Sequence, residues 1–425
     1  MVYTEAVDYI FSLSSLDAKP SLNRIEKLLS FFDNPQESFK SVHIAGTNGK
    51  GSVSTYISSV LTESGYKTGL FTSPHIVSFC ERIKVNGRMI SERDVAEITE
   101  SLIPFVEEME EKPTSFDLIT AVAFEYFRRE KCDFAVLECG LGGKFDSTNI
   151  VTPELSVLCS ISMDHVGLLG NTVEEITREK CGIVKQGVTV VSYPFKKTQD
   201  IFNPQKIESQ RIIIETSQLR HSRLEISDPD RITSSICTLD GTTITIDGLT
   251  LTSHLAGIHQ KANMLTAYTA LRVLSEKYRI SDENIIRGFD HSAIEARLEK
   301  VSENPTVIID GGHNADCAKA LKAFAESSLK GERLTAVIAM MRDKQCEIVL
   351  SEVAGLFDNI IVTEVNSERA CSASELAKKA KLYNNNVTVE KSVSGAIEAA
   401  VDIGNTVLIF GSFYLAGEAK EYFSS

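Results

Sequence analysis

Short runs of apolar residues alternate along most of the chain with longer segments in which apolar residues recur every three or four positions. Residues 134–139 and 155–161 are almost continuously apolar, which is typical of parallel strands covered on both faces. Residues 259–278 carry the helical repeat instead. This alternation of strands and helices predicts a mostly parallel sheet with helices packed against it.

The same patterns place the remaining elements of the first part of the chain. Helices are expected at 21–32, 53–64, 91–111, 116–130 and 173–180, and strands at 42–45, 67–71, 82–85, 88–90 and 188–193. Asn86-Gly87 predicts a type I′ hairpin turn. Ser91 and the capping-box pair Thr172 and Glu175 predict two helix starts.

From about residue 196 to 255 the pattern changes to short alternating segments around two Asp-Gly turns, which predicts a small antiparallel region. A second α/β alternation begins after Arg297, with strands at 307–309, 334–339, 359–363 and 406–410. A polar run at 295–299 separates the two parts, so we expect one domain at 1–296 and another at 297–425.

Composition narrows the class of protein. A chain of 425 residues exceeds one ordinary core, and its net charge of −14 offers no basic stripe for nucleic acid. The nine cysteines form no C-x-x-C pair, which favours free thiols in a reducing compartment. No signal-peptide pattern and no apolar run of membrane-spanning length is present. We therefore expect a soluble cytoplasmic protein that binds neither nucleic acid nor a membrane.

Candidate chemistry begins with the glycine-rich stretch from Gly46 to Ser52, which follows a strand and opens a helix. Backbone N–H groups of such a loop, a lysine and a helix N-terminus can together bind phosphate. The spacing departs from G-x-x-x-x-G-K-[ST], since a glycine lies three residues before Gly49 and the hydroxyl of Ser52 lies two residues after Lys50. The stretch by itself is also compatible with an ordinary strand-to-helix turn.

Three further polar residues, Ser73, Glu138 and His165, follow predicted strands of the same sheet. Open α/β sheets bind ligands at the carboxyl edge of their strands, and a carboxylate at a strand end resembles the Mg²⁺ ligand of phosphate-loop enzymes. Taken singly, Ser73 could be a turn residue, Glu138 a surface carboxylate and His165 a core or loop residue. Histidine is also an unusual ligand for Mg²⁺. Lys180, at the end of a predicted helix, is most simply a solvated lysine that favours the helix dipole.

Polar loops also follow strands of the second domain, at 310–314, 343–344 and 411–412. Each is compatible with simple turn chemistry. Two facing sets of strand-end loops, one from each domain, would form an interdomain cleft, where small-molecule sites are common.

Taken in order, the motifs resemble those of the folylpolyglutamate synthase family of the Mur ligase superfamily. The resemblance covers nearly the whole chain and rests on Gly46–Ser52, Thr72-Ser73-Pro74-His75, Glu81-Arg82-Ile83, Leu137–Gly143, Asp164-His165, Arg178–Ile183, His259-Gln260-x-x-Asn263, Arg297-Leu298-Glu299, Asp310–Asn314 and Gly411–Leu415. It implies a phosphate-loop-containing Mur-ligase-type ATP-binding domain with a mostly parallel sheet, flanking helices and a small antiparallel region, followed by a C-terminal Rossmann-like ligase domain.

The resemblance implies an ATP-dependent amide ligase. The γ-carboxylate of a folate would be activated as an acyl phosphate, and the amine of L-glutamate would displace phosphate. The expected small molecules are therefore ATP, Mg²⁺ (two ions), folate and L-glutamate, and we expect a monomer. Such catalysis depends mainly on positioning and charge neutralisation.

The family's site residues carry over by position. ATP would be bound by Thr47, Asn48, Gly49, Lys50, Gly51, Ser52, Asn263, Arg297, Asp310 and His313. Metal ligands would be Ser52, Ser73, Glu138, His165 and a carbamylated Lys180, with Lys50, His165 and Lys180 in catalysis. Phe79 and Arg82, in a segment at 73–90 bordering the pterin, would contact folate, and Arg369 and Ser412 would contact glutamate.

Three alternatives stay open at this stage. The enzyme could also join L-glutamate to dihydropteroate. It could instead be a nucleotide-binding regulatory protein, although a switch would not need the set Glu138, His165 and Lys180. The third alternative is a cell-wall or cyanophycin-type ligase, which substrate competition would exclude. Cell-wall substrates are disfavoured, because the phosphate loop begins only some forty residues into the chain and no UDP-sugar domain is expected before it. Ala296 and Gly312 depart from the glycine and alanine that the family often has there.

Overall fold

The computed structural model describes residues 1–13, 19–165, 167–196, 206–342 and 344–424. Asp343, one residue of the predicted 343–344 loop, lies outside these ranges. The architecture consists of two large sheets, of eight and six strands, and a three-stranded sheet. The expected α/β class with a small antiparallel region is confirmed.

The eight-stranded sheet is built around β1, which carries the phosphate loop at its carboxyl end. Its strands are β1 (Lys40–Ala45), β2 (Thr68–Phe71), β3 (Ile83–Val85), β4 (Arg88–Met89), β5 (Phe134–Glu138), β6 (Leu155–Leu158), β7 (Val190–Ser192) and β8 (Leu224–Ile226). They lie in the order β4-β3-β2-β5-β1-β6-β7-β8, and only β3 and β4 run antiparallel to their neighbours. Asn86 and Gly87 both have positive φ at the predicted hairpin.

Helices cover both faces of this sheet. They are α1 (Tyr3–Ser12), α2 (Asn23–Ser30), α3 (Lys50–Glu63), α4 (Glu92–Glu108), α5 (Ser115–Arg129), α6 (Val173–Lys180), α7 (Ile207–Leu219), α8 (His259–Ser275) and α9 (Asp282–Asp290). Apolar residues of β1, β5 and β6 pack between α3 and α8 on one face, and those of β5 pack against α4 and α5 on the other. Burial on both faces explains the continuous apolar runs of these strands.

The region from 196 to 255 differs in part from the prediction. The antiparallel strands β9 (Ile232–Thr238), β10 (Gly241–Ile246) and β11 (Leu249–Ser253) confirm the two Asp-Gly hairpins. Helix α7 and the parallel strand β8 were not expected there, and residues 197–205 lie outside the described ranges. The apolar triplet at 212–214 obscures the helical period of α7, and β8 is only half-buried.

The six-stranded sheet and its helices form the second part of the fold. Its strands are β12 (Glu299–Glu303), β13 (Thr306–Asp310), β14 (Leu334–Ile338), β15 (Asn359–Val362), β16 (Val387–Val389) and β17 (Thr406–Phe410), in the order β12-β13-β17-β14-β15-β16. Its helices are α10 (Ala315–Ser328), α11 (Cys346–Val353), α12 (Ala373–Ala380), α13 (Val393–Ile403) and α14 (Phe413–Ser424). The two edge strands, β12 and β16, were not predicted because β12 carries charged residues at both ends and β16 is only three residues long and mostly exposed.

Two smaller sequence predictions have clear outcomes. Thr172 caps α6 through the N–H of Glu175, but the Glu175 carboxylate accepts from the N–H of Asn171 rather than closing the capping box on Thr172. All nine cysteines are free thiols. Within the described ranges, no helix is long and apolar enough to cross a bilayer.

Candidate active site

The phosphate loop is held against the segment that follows the neighbouring strand β6. The N–H groups of Thr47 and Asn48 donate to the carbonyl oxygen of Ser160 at 2.7 and 3.3 Å, and the Thr47 hydroxyl donates to the carbonyl of Ser162 at 3.1 Å. These bonds fix the loop while the N-terminus of α3 stays directed at the cavity. An oriented helix N-terminus favours an anion there.

Gly49 is the residue at which this loop turns into α3. Its φ is +87°, and a Cβ added to it would lie 2.4 Å from Oδ1 of Asn263. Both the backbone conformation and the close approach of Asn263 therefore require glycine.

Lys50 and Glu138 face each other across the loop. Lys50 Nζ lies 3.9 Å from Oε1 of Glu138 and donates to the carbonyl of Thr47 at 3.3 Å. The Glu138 carboxylate is buried and accepts from the N–H of Ser73 at 3.2 Å. Burial raises the pKa of Glu138, and the charge of Lys50 opposes that shift.

Lys180 is buried behind the loop rather than solvated. Its Nζ donates to the carbonyl oxygen of Gly46 at 2.9 Å, and the side chain is 4% exposed. Burial, followed by the charge of Lys50, lowers the pKa of Lys180 to about 7. The interpretation of Lys180 as a solvated helix-end residue is therefore wrong.

His165 and Asp164 follow β6 and meet a lysine from the second sheet. The Asp164 carboxylate accepts from the N–H of His165 at 2.9 Å and lies 3.7 Å from Nζ of Lys344. Burial lowers the pKa of His165, opposed by the charge of Asp164. The imidazole is therefore neutral near pH 7 and has a lone pair to offer.

The six-stranded sheet supplies the opposite wall. Asp310, at the end of β13, accepts from the N–H groups of Gly312 and Leu298 at 2.8 and 3.0 Å. The Arg297 guanidinium lies over the Phe413 ring at 4.9 Å from its centroid. Burial lowers the pKa of His313 to about 4, so this imidazole is neutral near pH 7.

A hydrogen bond between amide side chains joins the two walls directly. Asn314 Nδ2 donates to Oδ1 of Asn48 at 3.0 Å, so the phosphate loop and the N-terminus of α10 are held together. Asn314 also caps α10 by accepting from the N–H of Cys317 at 2.9 Å.

The walls enclose one cavity of about 730 Å³. Most of the predicted site residues line it: Thr47, Asn48, Gly49, Lys50, Gly51, Ser52, Ser73, Arg82, Glu138, His165, Asn263, Arg297, Asp310, His313, Arg369 and Ser412. A volume of this size accommodates a nucleotide together with part of a second substrate.

Two predicted residues lie outside the cavity lining, Lys180 and Phe79. Lys180 lies behind the loop. Phe79 is buried in the core beneath α1 and α4, and its ring lies 6.0 Å from the Arg82 guanidinium. The structure therefore places Phe79 under Arg82, and its contact with folate stays a prediction.

Arg82 lies beside aromatic residues that the sequence did not single out. Its Nε donates to Nδ1 of His75 at 2.7 Å, and burial lowers the pKa of Arg82 to about 10. Phe11 of α1 and Phe116 of α5 also line the cavity. Helices α1 and α5 are far apart in sequence, so no local pattern could have grouped Phe11 with Phe116. The apolar face of the helix predicted at 116–130 was the only sequence signal for Phe116.

The residues predicted to contact glutamate, Arg369 and Ser412, follow strands of the six-stranded sheet. Ser412 is buried, and its hydroxyl accepts from the N–H of Leu415 at 3.1 Å at the start of α14. Lys344, which the sequence treated as a turn residue, lines the cavity beside Arg369 and Asp164. The only sequence signal for Lys344 was its position after a strand.

The donor set fits the Mg²⁺ that the resemblance implies. Glu138 has a buried carboxylate with acceptor capacity beyond its bond to Ser73, and the Ser52 and Ser73 hydroxyls line the same cavity. Among the described residues no group of three His, Cys, Asp or Glu side chains could hold a metal by itself. This is the pattern of Mg²⁺ sites that combine one or two protein ligands with water and substrate phosphates.

Comparison with known proteins gives a consistent result. The Mur ligase middle domain family matches residues 44–271, and the Mur ligase glutamate ligase domain family matches residues 296–413. The dihydrofolate synthase/folylpolyglutamate synthase of Bacillus subtilis is 32% identical over 440 residues, covering 99% of this chain and 98% of the relative.

Solved structures agree with the sequence comparison. The folylpolyglutamate synthase of Thermotoga maritima superposes with a TM-score of 0.86 at 32% identity, covering 100% of this chain and 97% of the other. A Mycobacterium tuberculosis folylpolyglutamate synthase complexed with ADP and AMPPCP superposes with a TM-score of 0.89 at 27% identity, covering 100% and 99%.

Proposed function

Since this chain belongs to the folylpolyglutamate synthase family of the Mur ligase superfamily, we propose how its residues carry out the family's reaction. The protein is an ATP-dependent ligase that adds L-glutamate to the γ-carboxylate of a folate. The observation that carries the proposal is the shared cavity. It brings the phosphate loop, Glu138 and His165 of one sheet against Arg297, Asp310 and His313 of the other.

The phosphate loop and Lys50 bind the β- and γ-phosphates. Backbone N–H groups at the start of α3 point toward the anion, and Lys50 lies close enough to Glu138 to share a phosphate–metal cluster with it. Thr47 and Asn48 hold the loop in shape through Ser160. Asn263, Arg297, Asp310 and His313 hold the rest of ATP from the cavity's other walls.

Ser52, Ser73, Glu138 and His165 would hold Mg²⁺. When bound, Mg²⁺ neutralises charge on the phosphates as the phosphoryl group moves to the folate carboxylate. His165 is neutral, because burial lowers its pKa, and so it can offer nitrogen as a ligand. ATP as cosubstrate is consistent with the nucleotide complexes of the solved relatives.

Lys180 is proposed to carry a carbamate. Only a neutral amine attacks CO₂, and a pKa lowered to about 7 leaves about half of the amines neutral at pH 7. The product is a carboxylate-like group, which suits a second hard cation. The bond from Lys180 Nζ to the carbonyl of Gly46 supports its placement directly under the phosphate loop.

The substrates enter from two sides of the cavity. Folate is proposed to lie near Arg82 with Phe79 beneath that arginine, and glutamate near Arg369 and Ser412. The acyl phosphate then forms between the two walls, where water is limited by burial. We propose that the catalytic unit is a monomer, and that it acts in the cytoplasm, where its free thiols stay reduced.

The testing experiment is a product assay with ATP and L-glutamate in which the acceptor is tetrahydrofolate, dihydropteroate or absent. We expect ADP release and a glutamylated product that depend on both tetrahydrofolate and L-glutamate. ATP hydrolysis that needs neither would point to a nucleotide-dependent switch instead. Product from dihydropteroate would add the second activity that the name of the Bacillus subtilis relative includes.

A further inference from the structure

Gln260, the second residue of α8, lies where α8 crosses the start of α3. It is fully buried, so water cannot replace a lost partner. Its amide has two donor and two acceptor positions, and the structure gives a neighbour to each.

The two donor positions face Ser52 and His259. Gln260 Nε2 donates to Oγ of Ser52 at 3.3 Å and lies 3.3 Å from Nε2 of His259. Burial lowers the pKa of His259 to about 4, so its imidazole is neutral near pH 7.

The two acceptor positions face Asn263 and Tyr56. Gln260 Oε1 accepts from Nδ2 of Asn263 at 3.0 Å and from the hydroxyl of Tyr56 at 3.3 Å. Because all four positions are occupied, the amide has one orientation. It fixes the orientation of Asn263, whose Oδ1 is then directed at the Cα of Gly49.

We propose that Gln260 is a positioning residue for nucleotide binding. It is not among the residues that line the cavity; it acts through Ser52 and Asn263, holding one hydroxyl and one amide in the arrangement that the nucleotide needs. The inference deepens the proposed function and rests on the assignment of Ser52 and Asn263 to the nucleotide. Without Gln260, each of these side chains gains alternative rotamers, which the nucleotide must then order at the expense of affinity.

The experiment measures binding of AMPPCP with Mg²⁺ by titration calorimetry, which requires no ligase activity. Gln260→Met keeps the length of the side chain but removes all four hydrogen-bonding positions. We expect its Kd to rise about tenfold, corresponding to about one lost hydrogen bond. Steady-state assays should show a rise in KM for ATP, with KM for L-glutamate changed less than twofold.

Tyr56→Phe is the matched control. It removes the bonds of the Tyr56 hydroxyl to the same Gln260 oxygen and to Ser253 Oγ, keeps the ring stack on Phe289 at 4.8 Å, and leaves Ser52 and Asn263 held. We expect its Kd to stay within twofold of wild type. A Tyr56→Phe effect equal to that of Gln260→Met would show a general packing role and overturn the inference.

Gln260→Glu serves as the second variant if Gln260→Met does not fold. Its carboxylate keeps the acceptor toward Asn263 but cannot donate to Ser52, so we expect weaker AMPPCP binding here also. A folded Gln260 variant that binds AMPPCP as wild type does would overturn the positioning role. Weaker AMPPCP binding in the Gln260 variants, combined with no folate-dependent activity in the wild type, would contradict the ligase proposal alone.

Discussion

Lys180 and His43 are two buried bases, and burial favours the neutral form of each. Lys180 donates to the carbonyl of Gly46, whereas His43 in β1 lies 2.8 Å from the hydroxyl of Thr148 and 3.1 Å from Sγ of Cys139. Desolvation lowers the pKa of both. A neutral buried lysine is available for chemistry, while a neutral buried histidine makes folding depend on pH.

Lys180→Ala should lower kcat for ligation at least about 100-fold, because removal of a charged group that orients the transferred phosphate costs two to three orders of magnitude. ADP release would be measured with both substrates present. Wild-type protein in ¹³C-bicarbonate should show a carbamate carbon signal that the variant lacks. Arg178→Ala, on the exposed side of the same helix, is the control; near wild-type turnover of Lys180→Ala would contradict the carbamate.

His43 predicts a loss of stability in acid. Its pKa is lowered by burial to about 3 in the folded protein, against about 6.5 in the unfolded chain. The unfolded state therefore binds more protons between pH 6.5 and pH 3, and stability falls as the pH falls through that window. The expected contribution at pH 5 is about 2 kcal/mol. Urea unfolding of wild type and His43→Gln at pH 7 and pH 5 checks it, and an equal pH slope in both proteins would contradict it.

At the scale of elements, α3 joins the phosphate loop to the core of the first sheet. Gly49 precedes its first turn and Gly65 follows its last, and both have φ near +88°. A Cβ at Gly49 would meet Asn263, whereas a Cβ at Gly65 would meet nothing within 4 Å. Substitutions at the two ends of α3 therefore distinguish two effects. Both positions share the strain of a left-handed backbone, but only a side chain at Gly49 would collide with Asn263.

Gly65→Ala should cost about 1 kcal/mol of stability through the left-handed backbone alone and leave nucleotide affinity unchanged. Gly49→Ala should lose the same stability. It should in addition weaken AMPPCP binding by at least about tenfold, because displacing Asn263 removes at least one hydrogen bond from the site. Thermal unfolding and titration calorimetry on both variants check this. Equal affinities in the two variants would show that the approach of Asn263 to Gly49 is unimportant.

At the scale of the whole molecule, the site depends on contacts between the two large sheets. The Asn314–Asn48 bond at 3.0 Å and the Lys344–Asp164 pair at 3.7 Å both cross the cavity. Both partners of the ion pair are mostly buried, so salt screens it less than a surface pair. Each contact joins a loop of one sheet to a loop of the other.

Asn314→Ser should keep the cap of α10, since serine also accepts from the N–H of the third helical residue, while its shorter side chain cannot reach Asn48. We expect KM for ATP to rise several-fold and the unfolding temperature to change little. Asn314→Ala, which loses the cap as well, should be less stable by about 1 kcal/mol. An unchanged KM in Asn314→Ser would show that the contact between the walls does not support nucleotide binding.

Much of the fold was predictable, because strands buried on both faces must be continuously apolar and helices packed on one side must repeat every three or four residues. The central strands, the hairpin at Asn86-Gly87 and the cap of α6 followed from such local rules. Helix α7 and the edge strands β8, β12 and β16 did not, since half-exposed elements carry weak patterns. The domain boundary at 296–297 stays a prediction.

For the site, the sequence by itself determined the local parts: a glycine loop before a helix, polar residues at strand ends and, through ordered motifs, a ligase family. Tertiary structure decided what those parts do. Burial of Lys180 behind Gly46, burial of Phe79 against α1 and α4, and the meeting of Gln260 with Ser52 all join segments distant in the chain. Desolvation and hydrogen-bond saturation depend on those distant neighbours, and no pattern of adjacent residues specifies them.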